Sequence, residues 1–125
     1  MPIKQKPKIL VADDSAFMRQ YIIGYLHEAG FDNITEAANG KMALEAFDRQ
    51  KPDIVLLDLI MPVEDGISVL DKLAKKNAKV IVISAIGQKA ILEKTQKIGA
   101  KGYFIKPFFD SKEIKNKIEE VLASQ

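Results

Sequence analysis

"IVLLDLIMPVEDG", residues 54–66, sets four apolar side chains before an acid, Asp58, and then resumes with Leu59, Ile60 and Met61. A short continuous run of Ile, Val and Leu suits a strand covered on both faces, as the strands of a parallel sheet are. An unpaired carboxylate in apolar surroundings is costly. Asp58 must therefore lie at an edge, meet a cation or carry out chemistry.

Two further runs read the same way, "KILVA" (8–12) and "KVIVISA" (79–85), while "NITEA" (33–37) and "GYFIK" (102–106) are weaker strand candidates. Helical spacing fills the gaps. From Ser15 to Ala29 the apolar residues Phe17, Met18, Tyr21, Ile22, Tyr25 and Leu26 recur at three and four residues, with Ser15 as N-cap and Gly30 as stop. Ala43, Leu44 and Phe47 mark a second helix, Val69, Leu70 and Leu73 a third, and Ile91, Leu92 and Ile98 a fourth. Ile114, Ile118, Val121 and Leu122 mark a fifth. A strand–helix unit repeated five times with short, right-handed connections predicts a doubly wound (βα)5 α/β sandwich, too small for an eight-stranded barrel. One domain is expected over 1–125, with its core at 8–122 and a short basic tail at 1–7.

The composition narrows the chemistry. With 125 residues, 47% hydrophobic and 29% charged, the chain has the size and balance of one globular domain. It contains no cysteine, which removes disulfides, thiolate nucleophiles and Cys-based metal sites and suits a reducing, cytoplasmic setting. "MPIKQKPK" (1–8) is basic but is followed by no signal-peptide core, and no apolar run approaches the length of a membrane span. A net charge of +2 makes no case for nucleic acid.

In a doubly wound sheet the working site lies off the carboxyl ends of the strands, where the strand order reverses. The first strand ends in Asp13 and Asp14, the third in Asp58, the fourth in Ser84 and Ala85, the fifth in Lys106 and Pro107. Three acids, a hydroxyl and an ammonium thus share one rim. Crowded carboxylates repel, and raised pKa values are the expected result. A hard divalent cation relieves that repulsion, and oxygen-only ligands favour Mg2+ over zinc. Lys106 beside the acids suits an anion that arrives with or onto the metal, such as a phosphoryl group. Taken singly each residue has a plainer reading: Asp13 or Asp14 as a helix N-cap, Asp58 as a wet strand end, Lys106 as a solvated charge, Ser84 as a turn hydroxyl. Their conjunction favours a site.

The segments "VADDSAFMR", "DIVLLDLIMPVEDG", "VISA" and "GYFIKPF" resemble the receiver domains of bacterial two-component response regulators, in the style of the single-domain chemotaxis regulators of the CheY type. The resemblance runs from about Lys8 to Leu122 and implies a flavodoxin-like parallel sheet of order 2-1-3-4-5. It implies that Asp58 accepts a phosphoryl group from a phosphohistidine on a histidine kinase. Asp14, Asp58 and the Ile60 backbone carbonyl would bind Mg2+, with Asp13 acting through water. Lys106 would pair with the acids and then with the phosphoryl oxygens, and Ser84 would donate to them. Lys106–Pro107 would be a cis peptide, which proline tolerates at small cost. Ser84 and Tyr103 would form the switch, the hydroxyl drawing its loop inward and the ring turning from solvent toward the core. The two positions that set the family's dephosphorylation rate hold Ile60 and Ile86, neither able to guide a water, so slow self-dephosphorylation is expected.

The fourth helix, fifth strand and fifth helix form the family's usual partner surface. Between Gln88 and Lys117 stand eight Lys against Glu93, Asp110 and Glu113, a balance of +5 that leaves −3 for the rest. Most of these lysines cover solvated faces. The sharper expectation is an acidic helical peptide of a flagellar switch protein or kinase docking there, steered by charge. The implied partners are a histidine kinase, an output protein and a phosphatase, without nucleic acid or membrane, for a monomer. Ending at Gln125, just past the fifth helix, the chain is expected to be freestanding.

Three rivals share part of this pattern. A sporulation-type phosphorelay intermediate has the same site residues. A flavodoxin-type FMN binder needs a hydroxyl- and glycine-rich phosphate loop where this chain has "DDSAF". An Asp-nucleophile phosphatase of the haloacid-dehalogenase kind wants Asp-x-Asp, against the adjacent Asp13 and Asp14 here. "NGKM" (39–42) is no P-loop, since Thr35 stands where the first Gly is required and Met42 replaces Ser/Thr. His27 reads as a plain surface residue.

Overall fold

The computed structural model describes residues 6–61, 65–106 and 110–124. Strands and helices alternate: β1 (Ile9–Ala12), α1 (Ala16–Glu28), β2 (Ile34–Ala37), α2 (Gly40–Gln50), β3 (Ile54–Leu57), α3 (Gly66–Lys75), β4 (Val80–Ser84), α4 (Lys89–Ile98), β5 (Gly102–Ile105) and α5 (Ser111–Ala123). All strand pairings are parallel, in the order β2-β1-β3-β4-β5. The expected class, unit count and strand order are all present.

The alternation of side chains along each strand builds two cores, one on each face of the sheet. Ile9, Val11, Ile54, Leu56, Ile81 and Ile83 pack under α1 and α5 with Ile22, Leu26, Ile114 and Ile118. Leu10, Ala12, Val55, Leu57, Val80 and Val82 pack on the other face with Ala43, Val69, Leu70 and Leu73 of α2 and α3. Burial on both faces explains why the sequence shows continuous apolar runs rather than alternation. Each strand is one residue shorter at one or both ends than the run that marked it.

Helix starts follow the side chains that can accept from free N–H groups. Ser15 accepts from the Met18 N–H at 3.1 Å, as expected, and Asn39, Asp65 and Asp110 cap α2, α3 and α5. Neither Asp13 nor Asp14 is an N-cap. The apolar face of α1 differs from the one expected: Phe17 is 78% exposed, while Ile23 joins Ile22 and Leu26 inside. Apolar residues lie on several sides of α1, so spacing alone could not choose the buried stripe. In α4 the one buried side chain among the described residues is Thr95, whose hydroxyl donates to the Leu92 carbonyl, with Ile91, Leu92 and Ile98 half-buried.

Candidate functional site

The ladder sets the strand ends level. Ala12 lies opposite both Ala37 and Leu57, so the residues that follow, Asp13 and Asp58, emerge side by side. Their N–H groups still donate to the neighbouring strands, Asp13 to Ala37 at 3.1 Å and Asp58 to Ala12 at 2.9 Å. The Lys106 N–H likewise donates to the Ser84 carbonyl at 2.8 Å. Strand order reverses at β1 and β3, where such sheets place their crevice. Beyond Asp58 the chain passes so close to the start of α3 that a Cβ on Gly66 would lie 2.2 Å from the Leu59 carbonyl oxygen. Glycine is required there by space.

The side chains converge as the strand ends imply. Asp13 is 1% exposed and Asp58 5%. The Lys106 ammonium stands 2.5 Å from an Asp13 oxygen and 3.3 Å from Asp58. Asp13, Asp14 and Asp58 each offer an oxygen within 4.8 Å of the other two. The plain readings of Lys106 as a solvated charge and Asp58 as a wet strand end do not hold. Burial is the main cause holding the Asp58 carboxyl above the ordinary carboxylate range, and Asp13 pushes it further up. Lys106 and the Ile60 N–H, 3.2 Å from Asp58 Oδ1, pull it back. The raised value was expected from crowding; desolvation turns out to weigh more.

Three carboxylates against one ammonium leave an uncompensated charge of −2 in a largely buried, oxygen-only donor set. That set fits a hard divalent cation such as Mg2+, and Asp14, which is exposed, leaves one side open to water. The Ile60 side chain is 56% exposed. Ile60 and Ile86 line one cleft together with Leu59, Met61, Asp65, Ile67 and Ile91.

Ser84 is fully buried, and its hydroxyl accepts from the Ile86 N–H at 3.3 Å, so the turn-hydroxyl reading is partly correct. Tyr103 is half-buried and donates to the Ile86 carbonyl at 2.6 Å. Burial raises its hydroxyl pKa, the Ser84 hydrogen bond opposes this, and the Asp58 charge adds to it. Ser84 and Tyr103 each bond the Ile86 backbone and are joined through it. Pro107 of the expected cis peptide lies outside the described residues, as does most of the basic tail. His27 is exposed and away from these groups. No described helix is long and apolar enough to cross a membrane.

The sequence pointed to no role for Arg19 and to Ile86 only through its side chain. Arg19 donates to the Asp13 carbonyl, and Ile86 serves through its backbone. An Arg one helical turn after an N-cap that itself follows two acids was the available signal for the first. Backbone partners leave no trace in side-chain type.

Residues 9–119 match the family model of the response regulator receiver domain. The chain is 39% identical to the chemotaxis protein CheY of Thermotoga maritima over 117 residues, which is 90% of this chain and 98% of that protein. It is 42% identical to CheY of Listeria monocytogenes over 103 residues, 81% and 87% of the two chains. Among solved structures it superposes with a TM-score of 0.86 and 32% identity on a chain of the CheX–CheY–BeF3–Mg2+ complex from Borrelia burgdorferi, covering 94% of this chain and 90% of that one. On this match, and on the parallel order and rim acids that precede it, the chain belongs to the response regulator receiver domain family.

Proposed function

We propose that this receiver domain is the phospho-accepting regulator of a two-component system, acting in chemotaxis through control of the flagellar motor, in the cytoplasm. The observation that carries the reading is the Asp58 carboxylate, buried beside Asp13 and Lys106 at the mouth of the sheet. Similarity to chemotaxis proteins named CheY along most of the chain supports the pathway.

In the proposed reaction an Asp58 oxygen bonds to phosphorus as the bond from phosphorus to a partner kinase's histidine nitrogen breaks. The electron pair of that bond stays with the departing imidazole. Asp58 reacts as the anion, so no general base is required. Bound Mg2+, held by Asp14, Asp58 and the Ile60 carbonyl with Asp13 acting through water, would supply charge neutralisation for the transferred group. Lys106, paired with Asp13 and Asp58, would exchange part of its contact with the acids for a phosphoryl oxygen. Ser84 would turn its hydroxyl toward the new oxygens, and the Ile86 backbone, bonded to both Ser84 and Tyr103, would pass the change to the β4–α4 loop. The output surface is the α4–β5–α5 face with its excess of lysine, suited to an acidic helical segment. Ile60 and Ile86 add apolar cover without a group that can aim water, which supports slow loss of the phosphoryl group. Outside that self-phosphorylation and dephosphorylation the chain is a signalling module rather than a turnover enzyme.

Beryllofluoride binding, followed by calorimetry, tests the reading. Binding that requires both Mg2+ and the Asp58 carboxylate is expected. Binding retained in Asp58→Asn would refute it.

A further inference from the structure

Asp13 is held on every polar atom it has. Its N–H donates to Ala37 at 3.1 Å, Oδ1 accepts from the Ser15 N–H at 2.9 Å, and Oδ2 accepts from Lys106 at 2.5 Å. The fourth group, the backbone carbonyl, accepts from Arg19 Nη1 at 2.7 Å. The guanidinium is itself fixed from the other side, Nε donating to Glu36 of β2 at 2.8 Å, and Gln20 reaches the same carboxylate at 3.4 Å. Arg19 is mostly covered, with its side chain 16% exposed. One planar fork therefore joins the edge strand to the peptide unit between Asp13 and Asp14.

That peptide plane decides where Asp14 starts. With the Asp13 carbonyl pinned, rotation of the 13–14 peptide is blocked and the Asp14 Cα is set relative to Asp58. We propose that Arg19 is a positioning residue for the acidic pair, setting divalent-cation affinity through the geometry of Asp13 and Asp14 without touching the cation. This rests on the reading of the three acids as a Mg2+ site.

The sign of the effect separates this role from simple electrostatics. Arg19 is a positive charge near the acids, so a charge-only role predicts tighter Mg2+ binding once it is neutralised. Positioning predicts weaker binding. Loss of a group that orients metal ligands typically costs about 10-fold or more in affinity.

The test is titration of the full chain with MgCl2 by calorimetry, at a temperature where circular dichroism shows each protein folded. Arg19→Met should weaken Mg2+ binding by about 10-fold. Arg19→Lys keeps the charge but loses the two-sided fork, and it should also bind more weakly than wild type. Should Arg19→Met not fold, Arg19→Lys decides alone. Affinity unchanged or tightened in the folded variants overturns the positioning role. A wild-type chain that takes up no Mg2+ would instead overturn the metal-site reading beneath it.

Discussion

Lys106 reaches Asp58 across the sheet mouth at 3.3 Å while holding Asp13 at 2.5 Å, and all three side chains are largely withdrawn from water. One ammonium thus makes two buried carboxylates tolerable. Removing one partner of such a group leaves a buried charge uncompensated, which typically costs about 3 kcal/mol or more. Lys106→Met should therefore lose about 3 kcal/mol of stability in metal-free urea unfolding, and Mg2+ should restore part of it. Unchanged unfolding would mean the pair carries no stability.

The raised Asp58 carboxyl gives a pH dependence with a defined sign. A carboxyl raised in the folded state binds a proton that the unfolded chain, with an ordinary value of about 3.9, has already lost. Its stabilising contribution is complete below the unfolded value and is lost as pH rises through the folded one. Metal-free Asp58→Asn, which cannot titrate, should be more stable than wild type at neutral pH, and the gap should close in acid. Urea midpoints measured from pH about 4 to about 7 check this, and a gap that widens in acid would contradict the sign.

The Tyr103 hydroxyl, bound to the Ile86 carbonyl at 2.6 Å, anchors the loop that follows β4. Tyr103→Phe removes that bond at a cost of about 1 kcal/mol. Amide hydrogen exchange should accelerate at Ile86 and Gly87 with little change in β1 and β3. Uniform acceleration over the whole sheet would place the effect elsewhere.

Ile60 and Ile86 face one apolar cleft beside the proposed phosphoacceptor. A carboxylate or amide at either position gives an attacking water something to bond to. Ile86→Glu or Ile60→Asn should speed hydrolysis of the phosphorylated chain, toward the roughly 100-fold that a positioned general base supplies. Loss of the labelled phosphoryl group over time reports this, and a wild-type lifetime of only seconds would contradict the shielding role.

The fold was legible because both faces of the sheet are covered. Runs such as "IVLLD" (54–58) carry enough continuous apolar surface to mark a buried strand without a partner in view. Asp58 stood out for the same reason, as a charge at the end of such a run, and Asp13, Ser84 and Lys106 follow from equivalent positions on neighbouring strands. Side-chain direction was less readable. Phe17 lies on a helix apolar on most sides, so only packing against β1 and α5 selects Ile22, Ile23 and Leu26 over it. The Arg19 fork was hidden because its target is a main-chain carbonyl, and the Glu36 that completes it lies 17 residues away.

The Asp58 carboxylate should accept a phosphoryl group when Mg2+ is present. Intact-mass measurement after incubation with acetyl phosphate and Mg2+ addresses it most directly. A gain of one phosphoryl group is expected in the wild-type chain, lost with chelator and absent in Asp58→Asn. A wild-type mass that does not change, or an Asp58→Asn chain that gains the same group, would contradict it.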